Sequence, residues 1–293
     1  MNRPRIVSLP EHIVEIVSDA GEGAQKAAVA FARLCAKTGN GLWTVEIIPS
    51  EIRPPPHTIG SASGNRIRLA ERSQVTNAGD LADVVLAFNE MALLSRLEAG
   101  SLADDVLVLI DDQWATHDVE EYRLSYREVL DKFRTRGATI IEIPLQEETL
   151  RHVEDAEQGK NMFAVGLLCA LYSKNVNLLK NVIRGIFEKK TREVIETAVK
   201  LAGAGYEYGI AHLEERFEIQ AVPTDVSKVA MNGNTALALG AVSAGFEMCS
   251  MYPITPATSA SHELSYHHLG ARHGLEGGVP GLGRDDRDTA RHR

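Results

Sequence analysis

The sequence is poor in cysteine, in aromatic residues and in runs of positive charge. Only three cysteines, Cys35, Cys169 and Cys249, occur in 293 residues. They lie far apart and form no Cys-x-x-Cys pair, so the chain offers no iron–sulfur cluster or structural zinc of its own, and no metal site is expected. We expect them to be small apolar core residues in a reducing, cytoplasmic setting. Net charge is −9, without a cluster of Lys and Arg. That removes a nucleic-acid surface, which needs clustered cations against phosphate. No stretch approaches the roughly 20 apolar residues of a membrane-spanning helix. The opening residues, MNRPRIVSLPEHIVEIV, lack the apolar run and small-residue cleavage site of a signal peptide.

What remains is a chain with 44% hydrophobic residues, enough for a packed core, and room for one large or two medium domains. HIVEIV (12–17), WTVEIIP (43–49), 65–70, 82–88, 105–110 and ATIIEIP (138–144) are short β-rich runs. Between them, Ala24, Ala27, Ala28, Phe31, Leu34 and Cys35 have helical spacing, Leu93, Leu94 and Leu97 mark a second helix, and 119–136 is a charged helix ended by Gly137. Strand, Gly turn, helix and strand in alternation predict an α/β layer with parallel strands. After Pro144 the pattern is helical over 161–172, 175–189 and 191–216. EIQAVPTDVSK (218–228) is polar and aperiodic, and is the expected linker between a domain over 1–217 and a second one starting at 229. The second begins with an Ala- and Gly-rich helix at 233–244.

Four features invite a chemical reading. Gly21-Glu22-Gly23 follows a strand and opens a helix, as a phosphate cradle would. The dinucleotide fingerprint fails, however, because Lys26 stands at its third glycine. Positive φ at a tight turn accounts for the glycines equally well. The loop EIRPPPHTIGSAS (51–63) carries Arg53 and His57, which could meet an anionic substrate or a partner subunit; a Pro-stiffened surface loop is the alternative. Asn89-Glu90 follows a strand and suits a helix cap. Tyr252-Pro253-Ile254-Thr255-Pro256 is the strongest motif. Its two prolines stiffen the loop, and Pro256 pushes Thr255 out of the α region. A short strand is expected ahead of it, and Thr258 and Ser259 can cap a helix that follows.

The segment GNTALALG (233–240) followed by YPITP (252–256) resembles the start of the thiamine-diphosphate-binding alpha domain of the 2-oxoacid:ferredoxin oxidoreductases. IVSDAGEGAQKA, WTVEIIPSEIRPPP, NAGDLADVVLAFNE and GKNMFAVGLLCALY resemble segments of that family's Rossmann-like gamma domain. The resemblance implies an alpha subunit with an N-terminally fused gamma domain, of the 2-oxoglutarate type. The fold it implies is α/β: a Rossmann-like gamma domain with a helical extension (1–217), a linker (218–228) and the start of a pyrimidine-type α/β domain (229–265). The activity it implies is oxidative decarboxylation of a 2-oxoacid to an acyl-CoA, with electrons passed to ferredoxin. Thr255 carries over as the active-site threonine, framed by Tyr252, Pro253, Ile254 and Pro256 near thiamine diphosphate. The pyrophosphate and magnesium site is implied on a beta subunit, the iron–sulfur cluster on a partner subunit, and coenzyme A as co-substrate.

Residues 266–293, YHHLGARHGLEGGVPGLGRDDRDTARHR, depart from the family pattern. They hold four of the ten histidines and six glycines without an apolar period. A histidine-rich metal tail is one reading and a disordered tail another. We read the segment as out-of-frame translation, which makes the alpha domain truncated after about residue 265 and the isolated chain inactive. Glu276 lies in this segment in a context that does not match the family's activating glutamate, and that role is assigned to no residue. Two further readings stand beside the resemblance: a nicotinamide-dependent dehydrogenase, resting on the Gly turn, and a non-catalytic assembly protein that packs on partner subunits.

Overall fold

The computed structural model describes residues 4–51, 54–72, 74–156, 159–222, 229, 231–254 and 257–272. The chain forms two compact units, Met1–Thr224 and Asp225–Arg293.

The first unit opens with a four-residue strand β1 (Arg5–Ser8), then β2 (Glu11–Asp19), helix α1 (Ala24–Lys37), β3 (Gly41–Ile47), β4 (Ala62–Ala70) and β5 (Ala82–Ala87). It continues through α2 (Glu90–Glu98), β6 (Leu102–Asp111), α3 (Glu120–Arg136) and β7 (Thr139–Ile143). Four helices follow: α4 (Leu145–Leu150), α5 (Lys160–Leu171), α6 (Val176–Ile186) and α7 (Arg192–His212); a strand β8 (Glu215–Glu218) comes last. The six-stranded sheet has the order β3-β4-β2-β5-β6-β7. The four strands β2, β5, β6 and β7 are parallel, as the alternation predicts. β4 instead runs antiparallel to both β2 and β3. The connection is consistent with this: no α-helix intervenes between β3 and β4 among the described residues, whereas parallel neighbours are usually joined by a helical crossover. β3 and β2 therefore point the same way, joined by α1, with β4 inserted between them.

Both faces of the sheet are covered. Val14 and Ile16 of β2, with Val84 and Leu86 of β5, pack under α1, α5 and α7. Ile13 and Val17, with Val85 and Ala87, pack under α2 and α3. This two-sided burial is why the central strands read as nearly continuous apolar runs. The helix expected over 191–216 ends at His212, and Glu215–Glu218 is extended, pairing in parallel with β1. Four residues of ERFE with one anchor, Phe217, leave no period to detect.

One charged network lies inside this layer. Glu15 on β2 is fully buried. Its Oε1 accepts from Arg66 Nε at 2.9 Å, and its Oε2 from Arg96 Nε at 2.8 Å. Arg66 spends its other donors on the carbonyls of Gly79, Asp80 and Ser101. Removing the carboxylate charge would leave two guanidinium groups inside without their counter-ion. Glu15→Gln is therefore expected to cost about 3–5 kcal/mol, read as a lowered urea midpoint at unchanged slope; a loss under about 1 kcal/mol would refute this account.

The second unit contains α8 (Gly233–Ser243) and α9 (Thr258–Arg272). Asn232 caps α8, its Oδ1 accepting from the Thr235 N–H at 2.7 Å. Asn234 Nδ2 donates to Ser259 Oγ at 2.6 Å, tying the two helices together. Helix α9 runs through Tyr266 to Arg272, past the boundary at 265. Leu237 and Phe246 are 63% and 66% exposed, in keeping with an apolar face that has few partners within the unit.

Candidate functional site

Two places collect chemistry-bearing residues, one in each unit. In the second unit, residues 246–254 carry no regular secondary structure, so the short strand expected ahead of the Pro-framed loop is not formed there. Apolar residues recur through this connection, but without a neighbouring strand they have no ladder to join. Tyr252 and Ile254 are exposed, at 77% and 58%. Thr255 and Pro256 lie outside the described residues. The loop ends where the Thr258 N–H and Oγ1 both donate to the Ile254 carbonyl, at 3.0 and 3.1 Å; Thr258 is thus the first residue of α9, and its hydroxyl donates backward instead of accepting from a helix N–H as a cap would. Beside the loop is an apolar cleft lined by Leu237, Val242, Phe246, Met248, Met251 and Leu264, with Glu247 its charged residue.

In the first unit the C-terminal ends of the parallel strands meet the loop before β4. In open α/β sheets this edge faces the ligand crevice. β2 ends at Asp19, β5 leads into Asn89 and Glu90, and β6 ends at Asp111. His57 sits above them. Its backbone N–H donates to Asp19 Oδ2 at 2.6 Å, and its Nε2 lies 2.8 Å from Glu90 Oε1. Its φ of 56° is left-handed, a strained value for a side chain with a Cβ. The imidazole packs against Trp114 and Tyr122, at ring distances of 4.1 and 4.5 Å. Glu90 is fully buried. Ser61 Oγ donates to Asp19 Oδ1, closing the loop onto β2. Nε2 is engaged by a buried carboxylate while Nδ1 is buried without a hydrogen-bond partner, so the imidazole is enclosed by the fold and does not stand open as an anion receptor. Arg53, its neighbour in the loop, lies outside the described residues.

The glycine turn is explained in the same way. Gly21 and Gly23 have φ of 104° and 90°, and a Cβ on Gly23 would meet Asn161 Nδ2 at 2.3 Å. Glu22 folds back so that its Oε2 accepts the Asp19 N–H at 2.9 Å. Burial pushes the Glu22 carboxyl above its ordinary value, while the Lys160 ammonium pulls the other way. Lys160, 3% exposed at the start of α5, pairs with the fully buried Asp111 at 2.9 Å. Burial likewise raises Asp111, against the same ammonium. The turn thus carries carboxylates of its own, with positive φ accounting for both glycines and the approach of Asn161 for Gly23 as well. Asn89 caps α2, its Oδ1 accepting from the Ala92 N–H at 2.7 Å, as its position suggests.

Sequence reasoning missed Trp114, Tyr122 and the Asp111–Lys160 pair. The consecutive Asp111 and Asp112 at the end of an apolar strand were the available signal for the last. Among the described residues no group of three or more His, Cys, Asp or Glu is arranged to hold a metal ion, and no helix is long and apolar enough to cross a membrane.

The family model described as pyruvate ferredoxin/flavodoxin oxidoreductase matches residues 14–208. The chain is 31% identical over 274 residues to the 2-oxoglutarate oxidoreductase subunit KorA of Mycobacterium tuberculosis (strain ATCC 25618 / H37Rv), covering 87% of this chain and 41% of that protein. The 2-oxoglutarate:ferredoxin oxidoreductase from Magnetococcus marinus, solved with 2-oxoglutarate, coenzyme A and succinyl-CoA bound, aligns with a TM-score of 0.71 at 25% identity. That match covers 90% of this chain and 42% of the other. The keto/oxoacid ferredoxin oxidoreductase gamma subunit from Geobacter sulfurreducens PCA shares the fold, with a TM-score of 0.50 at 14% identity over 69% of this chain and 98% of its own. The chain spans less than half the length of the KorA and Magnetococcus relatives.

Proposed function

Because this chain belongs to the pyruvate ferredoxin/flavodoxin oxidoreductase family, we propose that it serves as a subunit of a 2-oxoacid:ferredoxin oxidoreductase of the 2-oxoglutarate type. The complex oxidatively decarboxylates the 2-oxoacid to its acyl-CoA and passes the electrons to ferredoxin. The observation that carries this reading is the match across 90% of the chain to an enzyme that holds 2-oxoglutarate, coenzyme A and succinyl-CoA. The first unit acts as the gamma domain, and the second supplies Tyr252, Pro253, Ile254, Thr255 and Pro256 to the thiamine diphosphate site. The complex works in the cytoplasm, a reading supported by the buried, unpaired Cys35 and Cys169.

The second unit fits one end of that cofactor. The cleft beside Tyr252 and Ile254 is apolar, which suits an aromatic ring, and Glu247 is its charged residue, which does not suit a pyrophosphate. The family resemblance assigns the pyrophosphate and its magnesium to a beta subunit and the iron–sulfur cluster to a partner subunit, in keeping with the three dispersed cysteines here. Thiamine diphosphate supplies the carbon nucleophile and electron sink for decarboxylation. This chain's part is to orient: the Pro253 and Pro256 frame stiffens the loop, the apolar cleft offers a surface for the aromatic ring, and the Thr255 hydroxyl donates to the substrate carboxylate. A second reading, in which the first unit packs on partner subunits without chemistry, is favoured by the internal pairing of His57 with Glu90 and of Lys160 with Asp111.

The test is reconstitution. Purified chain is mixed with a beta-type subunit, thiamine diphosphate, magnesium, coenzyme A, 2-oxoglutarate and ferredoxin. Acyl-CoA formation and ferredoxin reduction are expected only in the mixture, since three dispersed cysteines cannot make a four-cysteine cluster. Robust turnover by the chain alone would overturn this division of labour, and a mixture that associates without turnover would favour the packing reading.

A further inference from the structure

We propose that His12 is an acid-sensitive pin whose protonation loosens the β1–β8 ribbon from the six-stranded sheet. This inference is independent of the oxidoreductase reading. His12 stands on β2 with its side chain 11% exposed. Its Nδ1 lies 2.8 Å from the Tyr172 hydroxyl just after α5. Its Nε2 lies 3.8 Å from Asp83 Oδ2 on β5. Its ring meets Phe217 of β8 edge-on at 4.6 Å, and Tyr172 packs on Phe217 at 5.6 Å. One imidazole thereby joins the main sheet, the end of α5 and the ribbon strand that precedes the second unit.

The neutral ring satisfies these neighbours with one tautomer: Nε2–H faces the Asp83 carboxylate, and Nδ1 accepts from the Tyr172 O–H. A second proton would sit on Nδ1. The Tyr172 hydroxyl would then have to turn round and accept, leaving its own proton without a partner beside a tyrosine that is 1% exposed. The charge would also be held away from water, on a side chain that is 11% exposed. Asp83 opposes this as the one facing carboxylate. The other charged groups nearby are engaged elsewhere. Glu11 is held by Arg68 and Arg72, and the Lys174 ammonium is bound to Asn40 Oδ1 and the Ile219 carbonyl. The Cys35 thiol on α1 faces Tyr172, and its burial pushes it up to about 12, so it stays neutral.

The direction of titration agrees. Burial, the larger cause, lowers His12 below its ordinary value of 6.5, and Asp83 only partly offsets this. A released imidazole binds protons more readily than the packed one. The pin's contribution is therefore complete above pH 6.5 and is lost as pH falls from there toward the lowered value.

The experiment is hydrogen exchange on the full chain, corrected for intrinsic rates, with the amides of β5 as internal reference. Protection of β1 and β8 is expected to fall about tenfold between roughly pH 7.5 and 5.5, a shift of about one pKa unit's worth, while β5 holds. His12→Gln should flatten that dependence. Asp83→Asn, which keeps the acceptor for the Ile13 N–H, should deepen it. A flat response in the unaltered chain, or an equal fall in His12→Gln, overturns the proposal. Should His12→Gln not fold, an Asp83→Asn response identical to the unaltered chain's overturns it as well.

Discussion

Gly205→Ala is expected to unfold the chain at a much lower urea concentration than Gly203→Ala, although the two substitutions are chemically identical and two residues apart on α7. The helices α5 and α7 cross almost backbone to backbone. A Cβ on Gly205 would lie 2.0 Å from the Phe163 carbonyl oxygen and 2.8 Å from its carbon. The contact is reciprocal, since a Cβ on Gly166 of α5 would lie 2.0 Å from the Ala202 carbonyl oxygen. Those atoms are backbone of a helix whose residues are buried all round except Asn161, so nothing can step aside. The helices must separate, and the cost is about 3 kcal/mol or more. Gly203 faces the far end of a flexible side chain, Lys180 Cε at 3.5 Å, which is ordinary contact. There the methyl group removes unfolded-state freedom, and Gly203→Ala should gain about 0.5–1 kcal/mol. Urea unfolding at constant slope separates the two, and midpoint shifts of the same sign would show that the α5–α7 crossing is looser than described.

The contrast also marks what the sequence makes legible. Helix α1 is readable at both ends because a glycine turn precedes it and its apolar positions follow one face. The end of α3 is readable because Gly137 adopts φ of 102°, which few other residues accept. The strands of the main sheet are readable as apolar runs, but their direction is not. Whether β4 lies parallel or antiparallel to β2 depends on the connection, and only the absence of a helix between β3 and β4 hinted at it. The small β1–β8 pair is invisible for a different reason: its stability comes from Phe217 meeting His12 and Tyr172, contacts between residues distant along the chain. The same holds for the strand-end cluster. His57 was noticeable in a Pro-rich loop, and Asn89-Glu90 after a strand, but nothing local says that His57 and Glu90 touch across 33 positions. Nothing local marks Lys160 and Asp111 as a pair that the fold buries together. The Pro-framed loop is the opposite case, where the residue pattern alone carries the resemblance.

Thr255→Val, in the chain assembled with its beta-type partner, is expected to lower turnover with 2-oxoglutarate by about a hundredfold while leaving assembly intact. The substitution keeps volume and β-branching, so the extended backbone that Pro256 demands of its predecessor is retained. What it removes is one hydroxyl. A rigidly held donor aimed at developing or fixed negative charge is worth about 10²–10³ in rate when deleted. Thr255→Ser, which restores the donor, should recover most of the loss. Thr258→Val provides the comparison nearby: its hydroxyl is committed to the Ile254 carbonyl at 3.1 Å, at the start of α9, so its loss should touch helix stability and leave kcat near that of the unaltered chain. The readouts are kcat, KM for the 2-oxoacid and the size of the complex by gel filtration. A raised KM with kcat unchanged would make Thr255 a ground-state binding residue. Unaltered values of both would remove it from the site, and the frame of Tyr252, Pro253, Ile254 and Pro256 would then be a turn that shapes the entry to α9 and nothing more.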